Sequence, residues 1–465
     1  MKFKPSPIQI PAADPFKEDL LSRKQAADVL TSFVSSLKQP FVLAIDSPWG
    51  TGKTTFLKMW LQHLRNQNFH CLYFNAWETD FTDSPLVSLI GEVGAEIEKL
   101  ELGEDSKIAK LFEKTKKIGA SLLKSAAPTA LKLATAGLLD LEGLKAEDVT
   151  KLAENIAKKQ IEKYQADKKT IHHFRDELKQ LVAALSESDG ASTKPVIFVV
   201  DELDRCRPPY AVELLEKIKH LFSVEGLAFV LALDWEQLGA SVRSMYGQGM
   251  NSDGYLRRFV DLKYHLPEAT GTSFVHSHVQ SLGLASLLAS GEANCLRETF
   301  PHLFQLFGFS LRVQEQIFTH VALIARTTPE NQQLFPYLLS VLLCLRVANP
   351  ELYKRYCRGE AGNEDVMKYL RALPKGEVFA ESDLGCTCEA FLIFGMRDEK
   401  KRNAARAAFK QHAHENVEAE SKQRAQAVWH NLGMLSLHPG NIIGYLFDQI
   451  ELTQPFSKLT PQPTP

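Results

Sequence analysis

The sequence predicts an α/β fold with a parallel sheet, followed by an all-helical region. Three observations predict it. Short apolar runs alternate with segments of helical periodicity as far as Pro267. Those runs are apolar throughout, as strands buried on both faces are. Beyond Pro267 the strand signals stop, and Leu-rich stretches such as FPYLLSVLLCLRV take over.

The elements follow in order. Residues 14–38 read as a helix, with Leu20, Ala26, Ala27, Leu30, Phe33 and Leu37 on one apolar face. FVLAID (41–46) is the first strand. SPWGTGKT (47–54) follows it and opens the helical TFLKMWLQHLRNQ. HCLYF (70–74) is the second strand, closed by FNAWETD. Residues 84–187 have helical periodicity, many Lys and Glu, and few β-branched runs. PVIFVV (195–200) is the third strand, ending in Asp201, and residues 209–223 form a helix. LAFVLAL (227–233) is the fourth strand, ending in Asp234. Residues 235–246 are helical, and 260–266 is a fifth strand. Residues 272 to about 450 are successive helices. The tail, LTQPFSKLTPQPTP, is rich in Pro and Thr and is expected to fray. The expected organisation is therefore an N-terminal helix and first part of the core (1–83), a helical insert (84–190), and a second part of the core (191–268). A helical C-terminal domain (269–451) and a flexible tail (452–465) complete it.

Composition narrows the function. With 54 Lys plus Arg against 56 Asp plus Glu, the net charge is -2, which argues against a whole surface devoted to nucleic acid or anionic lipid. A hydrophobic share of 45% and a charged share of 24% exclude wholesale disorder. The seven cysteines include no CxxC, so a reducing, cytoplasmic setting is expected rather than a secreted disulfide scaffold. The N-terminus has no continuous apolar run, so no signal peptide is expected. The best membrane-span candidate, residues 118–139, carries Lys124, Pro128 and Lys132 near its centre; no transmembrane segment is expected.

The segment 47–54 has the strand-before, helix-after context of a phosphate-binding loop. In such a loop Ser47, Pro48, Trp49, Gly50, Thr51 and Gly52 turn backbone N–H groups inward around phosphates. The helix N-terminus adds partial positive charge. Lys53 reaches the β- and γ-phosphates, Thr54 offers a hydroxyl to Mg²⁺, and Thr55 completes the run. The strict pattern has Gly where this chain has Ser47. VIFVVDELDR places acids at the tip of a buried strand. Asp201 would hold Mg²⁺ and Glu202 would deprotonate the attacking water. An acid beside Asp201 points to ATP hydrolysis rather than phosphoryl transfer to a small substrate. No Asn/Thr-Lys-x-Asp segment of the GTP type occurs, so ATP is the expected nucleotide.

Together, SPWGTGKT, FNAWETD, VVDELDRCRP and FVLALDWEQL with GYLRRFVDLKYHLP resemble the KAP family of P-loop NTPases, over residues 14 to about 267. The resemblance implies an additional-strand core of order 5-1-4-3-2, with Glu202 as the activating acid. It implies a sensor position for Asp234 near the γ-phosphate. It also puts Asn75 and Trp77 near the nucleotide, Asn75 contacting the attacking water; strand-end capping of Asn75 and core packing of Trp77 are the structural alternatives, and core packing is the expectation for Trp77. Some members carry membrane helices in the insert, and prokaryotic members are linked to phage exclusion or defence. Related ring or clamp NTPases place an arginine finger near Arg257 and Arg258, with Arg258 the residue expected to act; a solvated basic pair is the alternative. Arg312 is a candidate second sensor, and Arg23 a candidate for the base pocket. Asp204 and Arg205 are expected to form an ion pair that orders the loop after the third strand.

The histidines form no persuasive metal set: His172–His173 and His412–His414 have spacings that share no helix face, and Cys386-Thr-Cys388 lacks a partner pair. The expectation is a Mg²⁺-dependent ATPase that couples nucleotide state to shape, acting as a homo-oligomer or with a partner protein. The rivals are a nucleotide-gated switch with little turnover, and a DNA-acting motor using the basic helix 400–410. Nucleic acid is not otherwise indicated.

Overall fold

In the computed structural model, the described residues are 8–82, 84–98, 106–126, 146–187, 194–267, 271–288, 291–328, 332–414, 419–435 and 442–451. The chain forms two units. One comprises Gln9–Asp19 and Arg23–Pro267; the other is built mainly from the chain after Pro267.

The first unit holds a five-stranded sheet of β1 (Phe41–Asp46), β2 (Cys71–Asn75), β3 (Val196–Asp201), β4 (Leu227–Leu233) and β5 (Leu262–His265). The order is 2-3-4-1-5 and every pairing is parallel, which is the expected order read from the other edge. All residues of β3 and β4 are buried, whereas the edge strand β5 is mostly exposed. Period-two alternation splits the apolar residues between two cores. Phe198, Val200, Phe229 and Leu231 face one side. Ile197, Val199 and Val230 face the other, where α1 (Lys24–Ser35) and α2 (Lys53–Asn66) pack with Leu30, Val34, Phe56, Trp60 and Leu64. The indole of Trp60 donates to Thr31 Oγ1 at 2.9 Å, tying α1 to α2.

Residues 14–38 are not one helix. Asp19 accepts the amides of Arg23 and Lys24, the latter at 2.9 Å, and Ser22 adopts φ 54°. A side chain that captures two amides makes the helix start there, at Lys24. The strand bounds at β2 and β5 differ from the sequence expectation by one or two residues at each end.

After β2 come the short α3 (Ala76–Thr79), α4 (Pro85–Glu98), α5 (Lys107–Ala126) and the long α6 (Ala146–Glu187). This insert is not a detached module. Leu89, Val93, Leu111, Phe174, Leu178 and Leu181 join the core that includes Phe198 and Phe229. Among the described residues no helix is long and apolar enough to cross a membrane. Residues 127–139 of the span candidate, and the tail from 452, lie outside the described residues. The unit's remaining helices are α7 (Pro208–Leu221), α8 (Trp235–Tyr246) and α9 (Ser252–Leu256).

The second unit is helical from Thr272–Ser281 to Ile442–Ile450. Its helix Pro336–Ala348 is buried on nearly every side, as a central helix must be. The basic helix Glu399–His414 spends several cations internally. Lys401 Nζ lies 3.2 Å from the Gly359 and Glu360 carbonyls, and Arg402 donates to the Met396 carbonyl at 2.8 Å. These contacts satisfy carbonyls at helix ends.

Candidate active site

A parallel sheet brings the carboxyl ends of all its strands to one edge, where such folds bind ligands. Here that edge carries Asp46, Asn75, Asp201 and His265 at strand ends, with Asp234 directly after β4. The register pairs Asn75 with Asp201 across β2 and β3.

The loop between β1 and α2 turns on Gly50 and Gly52, at φ 76° and 82°. Ser47 is not among the positive-φ residues. It is buried, its amide donates to the Leu233 carbonyl at 3.2 Å, and its hydroxyl lies 2.6 Å from the Thr51 hydroxyl. A serine therefore serves without strain where the strict pattern has glycine. Thr51 also donates to the Pro48 carbonyl at 2.8 Å, and Lys53 Nζ donates to the Ser47 carbonyl.

Lys53 stands among carboxylates. Burial lowers the pKa of its ammonium, opposed by Asp204 first and then Asp234, Asp201 and Asp46. Thr54 lies close to Asp201, which is fully buried. Burial raises the Asp201 pKa against the opposing hydrogen bonds from Thr54 and Tyr73. Tyr73 donates at 3.0 Å, and its own pKa is raised by burial and then by Asp201.

Glu202 follows Asp201 at φ 59°, a left-handed conformation unusual for a non-glycine residue. Its two carboxylate oxygens meet different donors. Arg205 Nη1 lies 2.6 Å from Oε1, and Asn75 Nδ2 lies 3.3 Å from Oε2. Asn75 also caps α3: its Oδ1 accepts the Trp77 amide at 3.1 Å and the Glu78 amide at 3.3 Å. Asp234 caps α8 through the Glu236 and Gln237 amides, each at 3.2 Å.

Two expectations need correction. Asp204 and Arg205 do not pair: Arg205 holds Glu202, while buried Asp204 accepts the indole N–H of Trp49. The Glu202 carboxylate is the nearer anion for a guanidinium one helical turn on, and a buried carboxylate needs its own donor. Trp77 is not core. It is 53% exposed and lies under the Arg205 guanidinium at 5.5 Å. The N-cap on α3 turns the ring outward.

Other contacts had no sequence signal of their own. Tyr73 shares a strand face with Asn75 by period-two alternation, but only the register reveals Asp201 beside it. Asp80 accepts the Arg207 amide at 2.8 Å and its Nε at 2.9 Å. Arg257 pairs with Asp253 at 2.9 Å, and Arg258 is exposed. No hydrogen bond or ion pair among the described residues ties the Arg258 side chain to the strand-end group. Arg312 belongs to the second unit and is exposed.

The donor set fits Mg²⁺. A buried carboxylate beside a threonine hydroxyl offers hard oxygens, and this ion commonly takes few protein ligands with the rest from phosphates and water. Among the described residues no group of three or more His, Cys, Asp or Glu forms an all-protein cage.

The family model described as the KAP family P-loop domain matches residues 23–282. An uncharacterized protein of Methanocaldococcus jannaschii, MJ0182, is 28% identical over 178 residues, covering 36% of this chain and 91% of that protein. Among solved structures, the Aeropyrum pernix ORC2 protein with ADPNP and ADP aligns at a TM-score of 0.29 and 12% identity, over 93% of this chain and 94% of that one. C. elegans PCH-2 aligns at 0.29 and 13%, over 69% and 68%. Scores at that level support no shared role.

Proposed function

We propose, from the premise that this chain belongs to the KAP family of P-loop domains, that it binds ATP with Mg²⁺ and hydrolyses it. The observation that carries the reading is Lys53 standing among Asp204, Asp234, Asp201 and Asp46 at the strand ends, with Thr54 close to Asp201 and Glu202 next in sequence. The loop amides and Lys53 hold the phosphates. Thr54 and Asp201 hold Mg²⁺, which when bound screens charge on the β- and γ-phosphates. Glu202 takes the proton of the attacking water, and Asn75 orients that carboxylate. Asp234 lies close enough to Lys53 to influence its charge, which suits a sensor of the γ-phosphate. Arg258, exposed on the same unit, is the residue offered to a neighbouring copy in a homo-oligomer. None of the seven cysteines forms a disulfide, in keeping with a cytoplasmic setting.

Nucleotide state is then coupled to a change of shape or assembly. A second reading, a switch with little turnover, is favoured by one observation: both Glu202 oxygens are already engaged. Calorimetric titration with Mg·ATP tests the binding step. Lys53→Ala should weaken affinity by about 100-fold or more, since a charge-assisted phosphate contact is lost. Unchanged affinity would exclude a phosphate site at this loop.

A further inference from the structure

We infer that Arg205 is a positioning residue that holds the Glu202 carboxylate back from water, and that the phosphate loop acts on this hold through Trp49 and Asp204. The inference rests on the reading of Glu202 as the acid that activates water.

The turn Leu203–Arg205 places two gripping side chains, Asp204 and Arg205, just after Glu202. Arg205 makes the shorter contact to Glu202, 2.6 Å against 3.3 Å for Asn75. Asn75 also divides its amide nitrogen with Glu78 at 2.9 Å. The guanidinium also lies over the Trp77 ring, 5.5 Å from its centroid. A cation that contacts both a carboxylate and an aromatic face keeps one geometry better than a free side chain would. The left-handed backbone of Glu202 is disfavoured for a side chain with a Cβ, so this conformation depends on such contacts. A carboxylate oxygen occupied by a guanidinium is less available to take a proton from water.

The same turn grips the phosphate loop. Asp204, adjacent to Arg205, accepts the indole N–H of Trp49, which lies between Pro48 and Gly50. Trp49 is 45% exposed, so its only described side-chain hydrogen bond is this one to the turn. Trp49 belongs to the loop that a triphosphate would enter. The triphosphate's anionic oxygens also compete with Glu202 for a nearby guanidinium. Loop occupancy and release of the acid are thereby linked through two adjacent side chains.

The test is steady-state phosphate release by the full chain with Mg·ATP, comparing wild type, Arg205→Ala, Arg205→Lys, Trp49→Phe and Glu202→Gln. Arg205→Ala should raise kcat about threefold to tenfold with KM little changed, a small part of the roughly 10²–10⁴-fold that a general base supplies. Arg205→Lys, which keeps a cation, should lie between. Trp49→Phe keeps the ring and loses the N–H; it should also raise kcat, and adding it to Arg205→Ala should give no further gain. Damage to the fold does not raise kcat. A kcat for Arg205→Ala equal to or below wild type overturns the inference, and a fall towards the Glu202→Gln level would make Arg205 an aid to the acid. Wild-type release that Glu202→Gln leaves intact would instead refute the role given to Glu202.

Discussion

Asp201 is buried with its carboxylate raised in pKa, while Lys53 nearby is lowered for the same reason. Burial thus disfavours the charged form of both groups, the form that nucleotide and Mg²⁺ would stabilise. The sign for Asp201 is fixed. A carboxyl whose folded pKa lies above its unfolded one favours folding below the ordinary carboxylate range. That contribution is lost as pH rises through the folded pKa. Asp201→Asn should therefore raise the Tm of the ligand-free protein at pH 8 by about 2–4 °C, with the gain shrinking towards pH 4. Differential scanning fluorimetry checks this, and the variant should also lose the Mg²⁺-dependent part of the shift given by Mg·ADP. At this scale SPWGTGKT and VVDELDR made the loop, Lys53, Thr54, Asp201 and Glu202 legible, because spacing along the chain suffices for them. The partners of Trp49, Tyr73 and Arg205 were not legible, since each depends on strand register or on a turn's exact path.

The elements around the site are joined by a clamp that no motif spacing announces. Asp80 ends the FNAWETD segment after β2, and Arg207 precedes α7 after β3. Arg207 meets Asp80 through its amide, its Nε and its Nη2, the last on the Asp80 carbonyl. Asp80 is buried, and removing its carboxylate removes the acceptor that the Arg207 amide and Nε share. Asp80→Ala should destabilise the protein by about 1–3 kcal/mol, read by urea denaturation. An unchanged midpoint would show that water replaces the carboxylate. The buried strands β3 and β4 were legible because their apolar runs are continuous. The start of α1 was not: apolar periodicity runs back through Leu20, and only the Asp19 cap and the φ of Ser22 stop it. Trp77 likewise reads as core from its residue type, and the N-cap by Asn75 reverses that.

The molecule as a whole comprises an α/β unit that carries the site and a helical unit after Pro267. The switch from strand signals to helical ones made this division visible in the sequence. The role of the insert was less visible. Its charged composition reads as a separate helical module, yet Leu89, Phe174 and Leu178 complete one face of the sheet's core. Periodicity identifies an apolar helix face without saying what it covers. The central claim is hydrolysis of ATP by the strand-end group, and phosphate release from Mg·ATP tests it most directly. Wild type and Glu202→Gln should be compared at several protein concentrations. The account predicts Mg²⁺-dependent release that falls by about 100-fold or more in Glu202→Gln while Mg·ATP binding persists. A wild-type rate per molecule that climbs with concentration would add the Arg258 contribution from a second copy. Equal release by the two proteins, or none from wild type under any of these conditions, would contradict the account.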